Sequence, residues 1–334
     1  MKKLLSSPII KNKKGQVRSG WIILSVMTVF YAANSLIPYL IIEVLRYTLI
    51  LTGDINPVTG YYSATVDWLN DTVLPVALQI LMEIIMIVVP LIAWRFVMKR
   101  RIKEVGLPSI VSGYREGVVG MLLGFICCTL VFVVLVLTGQ ATVESWKPKF
   151  SPLHFWWLLT LLLVAFGEEI MNRAFLMSVL RRVGNIYFVA LVPSIVFGFI
   201  HLSNPGVTVL SVLNIILIGI EFSYMFIKSG NIWMCIGYHL TWNTFQGIVY
   251  GMPVSGLNIP GIITTNFPSN NFLNGGEFGI EGGLLTTAVN VLGFLFIVFY
   301  YRNSKYDFIS DTTVTESCHL SRPNSKHHEE MEKE

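Results

Sequence analysis

The chain has 334 residues, 53% of them hydrophobic and 13% charged, with a formal net charge of +4. A soluble domain carries roughly a quarter charged residues, so a soluble globular protein is excluded and an all-α polytopic membrane protein is expected. The basic surplus clusters beside apolar runs, which orients spans and gives no reason to expect nucleic acid as a partner.

Lys2, Lys3, Lys11, Lys13, Lys14 and Arg18 precede the first apolar run, which continues to about Leu51. That exceeds the roughly 7 to 15 apolar residues of a signal-peptide core, so a retained first span is expected. At about 20 apolar residues per crossing, spans fall near 21–45, 73–97, 118–138, 155–180, 186–202, 207–227, 232–250 and 282–301, eight in all. The positive-inside rule puts the N-terminus, the 99–117 loop, Arg181, Arg182, Lys228 and the tail from Arg302 on the cytoplasmic side. The loops 52–71, 139–154, 203–206 and 251–281 then fall opposite. Three regions follow: a basic cytoplasmic segment 1–19, a transmembrane domain 20–301, and a polar cytoplasmic tail 302–334. The expected location is the cell membrane, crossed several times.

The stretch Gly251 to Gly283 is rich in Gly, Asn and Pro, too polar for a span, and suited to folding back over an extracytoplasmic mouth. The tail ends His327-His328-Glu-Glu-Met-Glu-Lys-Glu; it cannot bury a core and is expected to be solvated and disordered. Cys127, Cys128 and Cys235 lie in spans and Cys318 in the tail, a spacing that fits neither a disulfide framework nor a zinc knuckle, so they are expected reduced or lipid-facing.

Four polar clusters interrupt the apolar pattern: Glu168-Glu169-Ile-Met-Asn-Arg173, Phe197-Gly-Phe-Ile-His201, His239-Leu-Thr-Trp-Asn243, and the approach Glu277 to Gly283. Ionisable groups at bilayer depth cost a few kcal/mol or more, so they are kept for a partner or a function. Residues four apart share a helix face, so Glu169 and Arg173 are spaced to form a buried ion pair, while Glu168 points elsewhere, toward an intramembrane polar cavity. Phe197 shares a face with His201 and restricts it. His239 and Asn243 put two donor-capable side chains side by side, which is what a developing oxyanion requires. Taken singly, each histidine or asparagine also fits a role as interhelical glue; three ionisable sites together exceed what glue needs. Glu43 and Arg46 are spaced to pair at the end of the first span, and Glu83 has no partner that the sequence identifies.

The order EExxxR, FxxxH, HxxxN, each in its own span, resembles the CAAX protease and bacteriocin-processing family of intramembrane endopeptidases, also called Abi proteins. Glu168, Glu169 and Arg173 carry the first motif, Phe197 and His201 the second, and His239 and Asn243 the third. The resemblance covers about residues 155–250, and the Glu281-Gly-Gly-Leu element is also similar to many bacterial members. It implies that Glu168 and His201 activate water, that His239 and Asn243 stabilise the oxyanion, and that Glu169, Arg173 and Phe197 support them. The implied substrate is a membrane-embedded or membrane-delivered protein or peptide, with no cofactor. The implied roles in bacterial relatives include bacteriocin maturation and self-immunity, and nothing in the chain selects a prenylated substrate.

Three alternatives stay open from the residues. Glu168, His201 and His239 are a possible zinc set with an open water position, although no HExxH spacing supplies two ligands from one helix. A non-catalytic immunity or scaffold protein would keep the fold without the chemistry. A proton-coupled transporter would use Glu83, Glu168 and the histidines as relay sites. The expected spans also leave a conflict of depth: His239 falls about 12 Å from the cytoplasmic edge at 1.5 Å per residue, Glu168 near mid-membrane and His201 nearer the far side. The Ser203-Asn204-Pro205-Gly206 break is allowed inside the membrane where it faces protein or water.

Overall fold

The computed structural model describes residues 9–12 and 15–310, apart from the side chains of residues 70 and 71. All eight expected apolar stretches are helical. They are α1 (Ser19–Thr52), α2 (Leu74–Ile92, continued by the π-helical turn Ala93–Val97), α3 (Ile110–Leu137), α4 (Leu153–Glu169, continued by the π-helical stretch Ile170–Met177), α5 (Ile186–Ile200), α6 (Val209–Ser229), α7 (Trp233–Asn243, continued by Thr244–Val249) and α8 (Leu284–Tyr300). Among the described residues, six helices are long and apolar enough to cross a membrane, including α1 to α6. Helix α8 is apolar but shorter, and α7 has 11 α-helical residues before its π-helical end. The chain is an all-α multi-pass membrane protein; eight crossings remain an expectation.

Local chemistry sets the helix limits. Thr208 and Ser211 cap the start of α6 reciprocally, side chain to backbone in both directions. Asn185 accepts from the backbone of Tyr187 and Phe188 to open α5. Gly230, with φ of 71°, closes α6 in a left-handed turn that other residues adopt only at a cost.

Helices α3 and α7 pack most closely. A Cβ added at Gly120 would overlap the Met234 carbonyl, one at Gly124 the Tyr238 carbonyl, and one at Gly237 the Gly117 carbonyl. Small residues let the two backbones approach, as is general for helix pairs in lipid. Cys127, Cys128 and Cys235 are free thiols buried in this region. They are therefore interior packing groups and not lipid-facing, because they lie on the faces where α3 and α7 meet other helices. Cys318 lies outside the described residues.

The polar stretch 251–283 folds back onto the 203–206 break. Asn204 Nδ2 donates to Ser255 O at 2.9 Å, and Gly256 N donates to Phe278 O at 2.8 Å. Two short strands, β1 (Thr142–Ser145) and β2 (Thr264–Asn266), pair antiparallel beside it. A second two-residue hairpin, Ile55–Asn56 with Tyr61–Tyr62, follows α1.

The first residues of the expected disordered tail are packed instead. Phe308 is 1% exposed, stacks edge-on against Phe226, and lies under the Arg181 guanidinium, whose carbon is 3.7 Å from the ring centroid. Two aromatic residues, Tyr306 and Phe308, give this segment apolar area to bury, which the composition of the whole tail conceals. The rest of that expectation, with the terminal His327 and His328, lies outside the described residues, as does the segment 1–8.

Candidate active site

Glu168, Glu169, His201 and Asn243 each stand where a regular α-helical segment ends, and His239 stands one turn before the end of α7. Glu168 and Glu169 close the α-helical part of α4, where the π-helical stretch begins. His201 follows α5 in a single 3-10 turn, and Asn243 is the last α-helical residue of α7 before its π-helical end. Departures of this kind are frequent at functional sites because they re-aim side chains that a uniform helix would space evenly.

The first motif divides as the spacing indicates. Arg173 NH1 donates to Glu169 Oε1 at 3.1 Å, with both side chains fully buried, and Arg173 NH2 donates to Gly219 O at 3.3 Å. The guanidinium carbon also lies 4.6 Å from the Phe197 ring centroid and 5.2 Å from that of Phe222. The cation is thus paired on its edge and covered on its faces, the arrangement that makes a buried arginine tolerable.

His201 Nδ1 donates to the Phe197 carbonyl at 2.8 Å, and the two rings meet edge to face at 5.0 Å. The carbonyl only accepts, so Nδ1 carries the proton and Nε2 presents a lone pair. That nitrogen is 4.0 Å from Glu168 Oε1. His239 comes from the opposite side: its Nε2 is 3.6 Å from Glu168 Oε2 and its Nδ1 is 3.2 Å from Glu169 Oε1. Glu168 therefore stands between two imidazoles, while the neighbouring arginine is engaged by Glu169.

These groups open on a cavity of about 470 Å³, which Glu168, His201, His239 and Asn243 all line. Residues expected at different depths thus meet at one cavity. His201 follows α5, and the break at 203–206 after it is covered by the 251–283 loop, so it sits against protein.

Two further carboxylates line the same cavity. Glu281 Oε2 accepts from Ser255 N at 2.6 Å and from Ser255 Oγ at 2.8 Å, holding Ser255 at a left-handed φ of 46°. Asn214 Nδ2 donates to the Glu281 and Gly283 carbonyls at 2.8 and 2.9 Å, tying this element to α6. Two sequence signals pointed to it: the polar approach Glu277 to Gly283, and the similarity of Glu281-Gly-Gly-Leu to bacterial relatives. Glu83, which had no partner in the sequence, accepts from Gln79 Nε2 at 2.8 Å through Oε1. Its placement depends on how α2 meets α4, and no spacing within the chain encodes that.

Among the described residues, no group of three or more His, Cys, Asp or Glu side chains has the arrangement of a metal site. The three residues of the alternative zinc set are brought together, with Glu168 turning a different oxygen to each imidazole.

A polytopic helical fold thus encloses a polar cavity lined by carboxylates and imidazoles. Residues 150–245 match the Rce1-like family model, described as type II CAAX prenyl endopeptidase Rce1-like. This agrees with the resemblance to the CAAX protease and bacteriocin-processing family carried by the three motifs, and it supports a protease. No curated protein and no solved structure matches the chain.

Proposed function

We propose that the protein hydrolyses a peptide bond in a membrane-embedded or membrane-delivered substrate, with Glu168 as the general base. The observation that carries this reading is the setting of Glu168: it faces the cavity with imidazole nitrogens at 4.0 and 3.6 Å and its basic neighbour Arg173 is taken by Glu169. Separations of this size exceed a direct hydrogen bond and suit a water held between the groups.

Glu168 takes a proton from that water while the His201 Nε2 lone pair accepts its other hydrogen. The water oxygen adds to the substrate carbonyl carbon. The oxyanion receives hydrogen bonds from His239 Nε2–H and the Asn243 amide, which is buried on the cavity wall with no protein partner among the described residues. The carbon–nitrogen bond then breaks, and the proton held by Glu168 passes to the leaving amine. The two histidines take different parts because their Nδ1 atoms face different acceptors. A neutral carbonyl leaves His201 a lone pair on Nε2, whereas His239 Nδ1 faces a Glu169 carboxylate oxygen, and its Nε2 is assigned the donor role.

The family description names a prenyl endopeptidase acting on CAAX sequences; for this chain the substrate class proposed is the broader one, a peptide or protein reaching the cavity from the bilayer. We place both chain ends on the cytoplasmic side, on the distribution of Lys and Arg between the loops. The test is cleavage by purified protein in lipid nanodiscs, read by mass spectrometry of a panel of apolar peptides. Products that appear with the native protein and not with Glu168→Gln support the reading. Native protein that cleaves nothing while carrying substrate flux in proteoliposomes favours a transporter instead.

A further inference from the structure

We propose that Glu83 forms a cation-selecting subsite, so that the preferred segment carries a lysine or arginine side chain close to the bond that is cut; this rests on the hydrolytic reading above. Glu83 lies on α2, outside the matched residues 150–245, and is only 5% exposed. One oxygen accepts from Gln79, while Oε2 is buried with no hydrogen-bond partner. Gly167, which precedes Glu168, lets that oxygen pack against the α4 backbone: a Cβ there would stand 2.8 Å from it. A buried carboxylate oxygen without a donor is costly, and Glu83 is among the residues lining the cavity that holds Glu168.

The wall as a whole fits the same occupant. Its charged side chains are Glu83, Glu168 and Glu281 with the two imidazoles, and no Lys or Arg lines it among the described residues. Phe30, Tyr31 and Trp157 add aromatic surface, which attracts cations through the ring quadrupole. Asn34 on α1 also lines the cavity with neither amide atom partnered, a neutral donor and acceptor for a substrate backbone. A free C-terminal carboxylate meets no guanidinium or ammonium group on this wall. An internal segment with a basic side chain supplies the donor that Glu83 Oε2 lacks.

The test uses full-length protein in nanodiscs and an apolar peptide of about 20 residues carrying one central lysine, compared with the same peptide carrying norleucine. Binding is measured on the Glu168→Gln protein, so that cleavage does not intervene. The lysine peptide is expected to bind at least about tenfold tighter, the least that one charge-assisted hydrogen bond supplies. The preference should vanish in Glu168→Gln with Glu83→Gln and persist with Glu83→Asp. A ratio near one in protein that keeps Glu83, or a ratio that survives Glu83→Gln, overturns the subsite. If Glu83→Gln does not fold, the lysine-to-norleucine ratio of the protein keeping Glu83 decides alone. Cleavage of the lysine peptide by native protein is read in parallel. Preference without cleavage overturns the hydrolytic reading and leaves the subsite, and cleavage without preference does the reverse.

Discussion

Glu169 Oε1 lies 3.2 Å from His239 Nδ1, and the same oxygen accepts from Arg173 at 3.1 Å. The ion pair on α4 is therefore also the support that orients a cavity imidazole on α7. Removing one member of a buried pair strands the other at a cost of about 3–5 kcal/mol, so Glu169→Ala and Arg173→Ala should each lower the melting temperature and the folding yield. The double variant should recover part of the stability, yet not activity, since His239 still lacks its acceptor. A thermal-shift cycle in detergent checks this; simply additive losses would rule out the pairing.

Glu168 has no such structural duty. Its carboxylate faces a cavity, and its nearest ionisable partners are imidazoles that other acceptors already hold in place. Glu168→Gln should abolish hydrolysis while expression and melting temperature stay close to native. Turnover above a small fraction of the native rate would reassign the base.

The approach of α3 to α7 sets where His239 and Asn243 stand, and it depends on glycines at the contact. A Cβ at Gly237 would overlap the Gly117 carbonyl, whereas one at Gly117 would lie 3.8 Å from the Trp233 carbonyl, an ordinary contact. Gly237→Val should therefore cost both stability and activity, and Gly117→Ala should cost neither. Melting curves and turnover of the two variants side by side test the contrast.

Much of this was legible in the sequence, for reasons that are local. Apolar runs long enough to cross lipid mark themselves, and pairs four residues apart on one helix, such as Glu169 with Arg173 and Phe197 with His201, follow from helical geometry. Glu43 and Arg46 likewise pair, at 2.7 Å. What the sequence left open depends on contacts between helices. The bridge from His239 to Glu169 and the place of Glu83 arise from packing between separate helices, which no spacing within one segment encodes. The depth conflict came from assuming straight α-helices with uniform ends, while Ile170–Met177 and Thr244–Val249 are π-helical and the 203–206 break is covered by a distant loop. The tail was read from its average polarity, which hid Tyr306 and Phe308.

The last prediction separates two kinds of chemistry at one site. Asn243 lines the cavity but holds no structural hydrogen bond among the described residues, so Asn243→Ala should lower kcat by about 10²–10³ with little change in KM, as the loss of an oxyanion donor does. His239→Ala should show a similar rate loss together with a lower melting temperature, because it also removes a partner of Glu169. If instead zinc activates the water, His239 is a ligand, and its loss releases the metal and the nucleophile together. Turnover after dialysis against a strong chelator, with elemental analysis of the same sample, distinguishes the two. The glutamate scheme expects undiminished turnover with no stoichiometric metal. Activity lost on chelation and restored by one equivalent of zinc would make Glu168, His201 and His239 the ligand set, leaving Asn243 alone to meet the oxyanion.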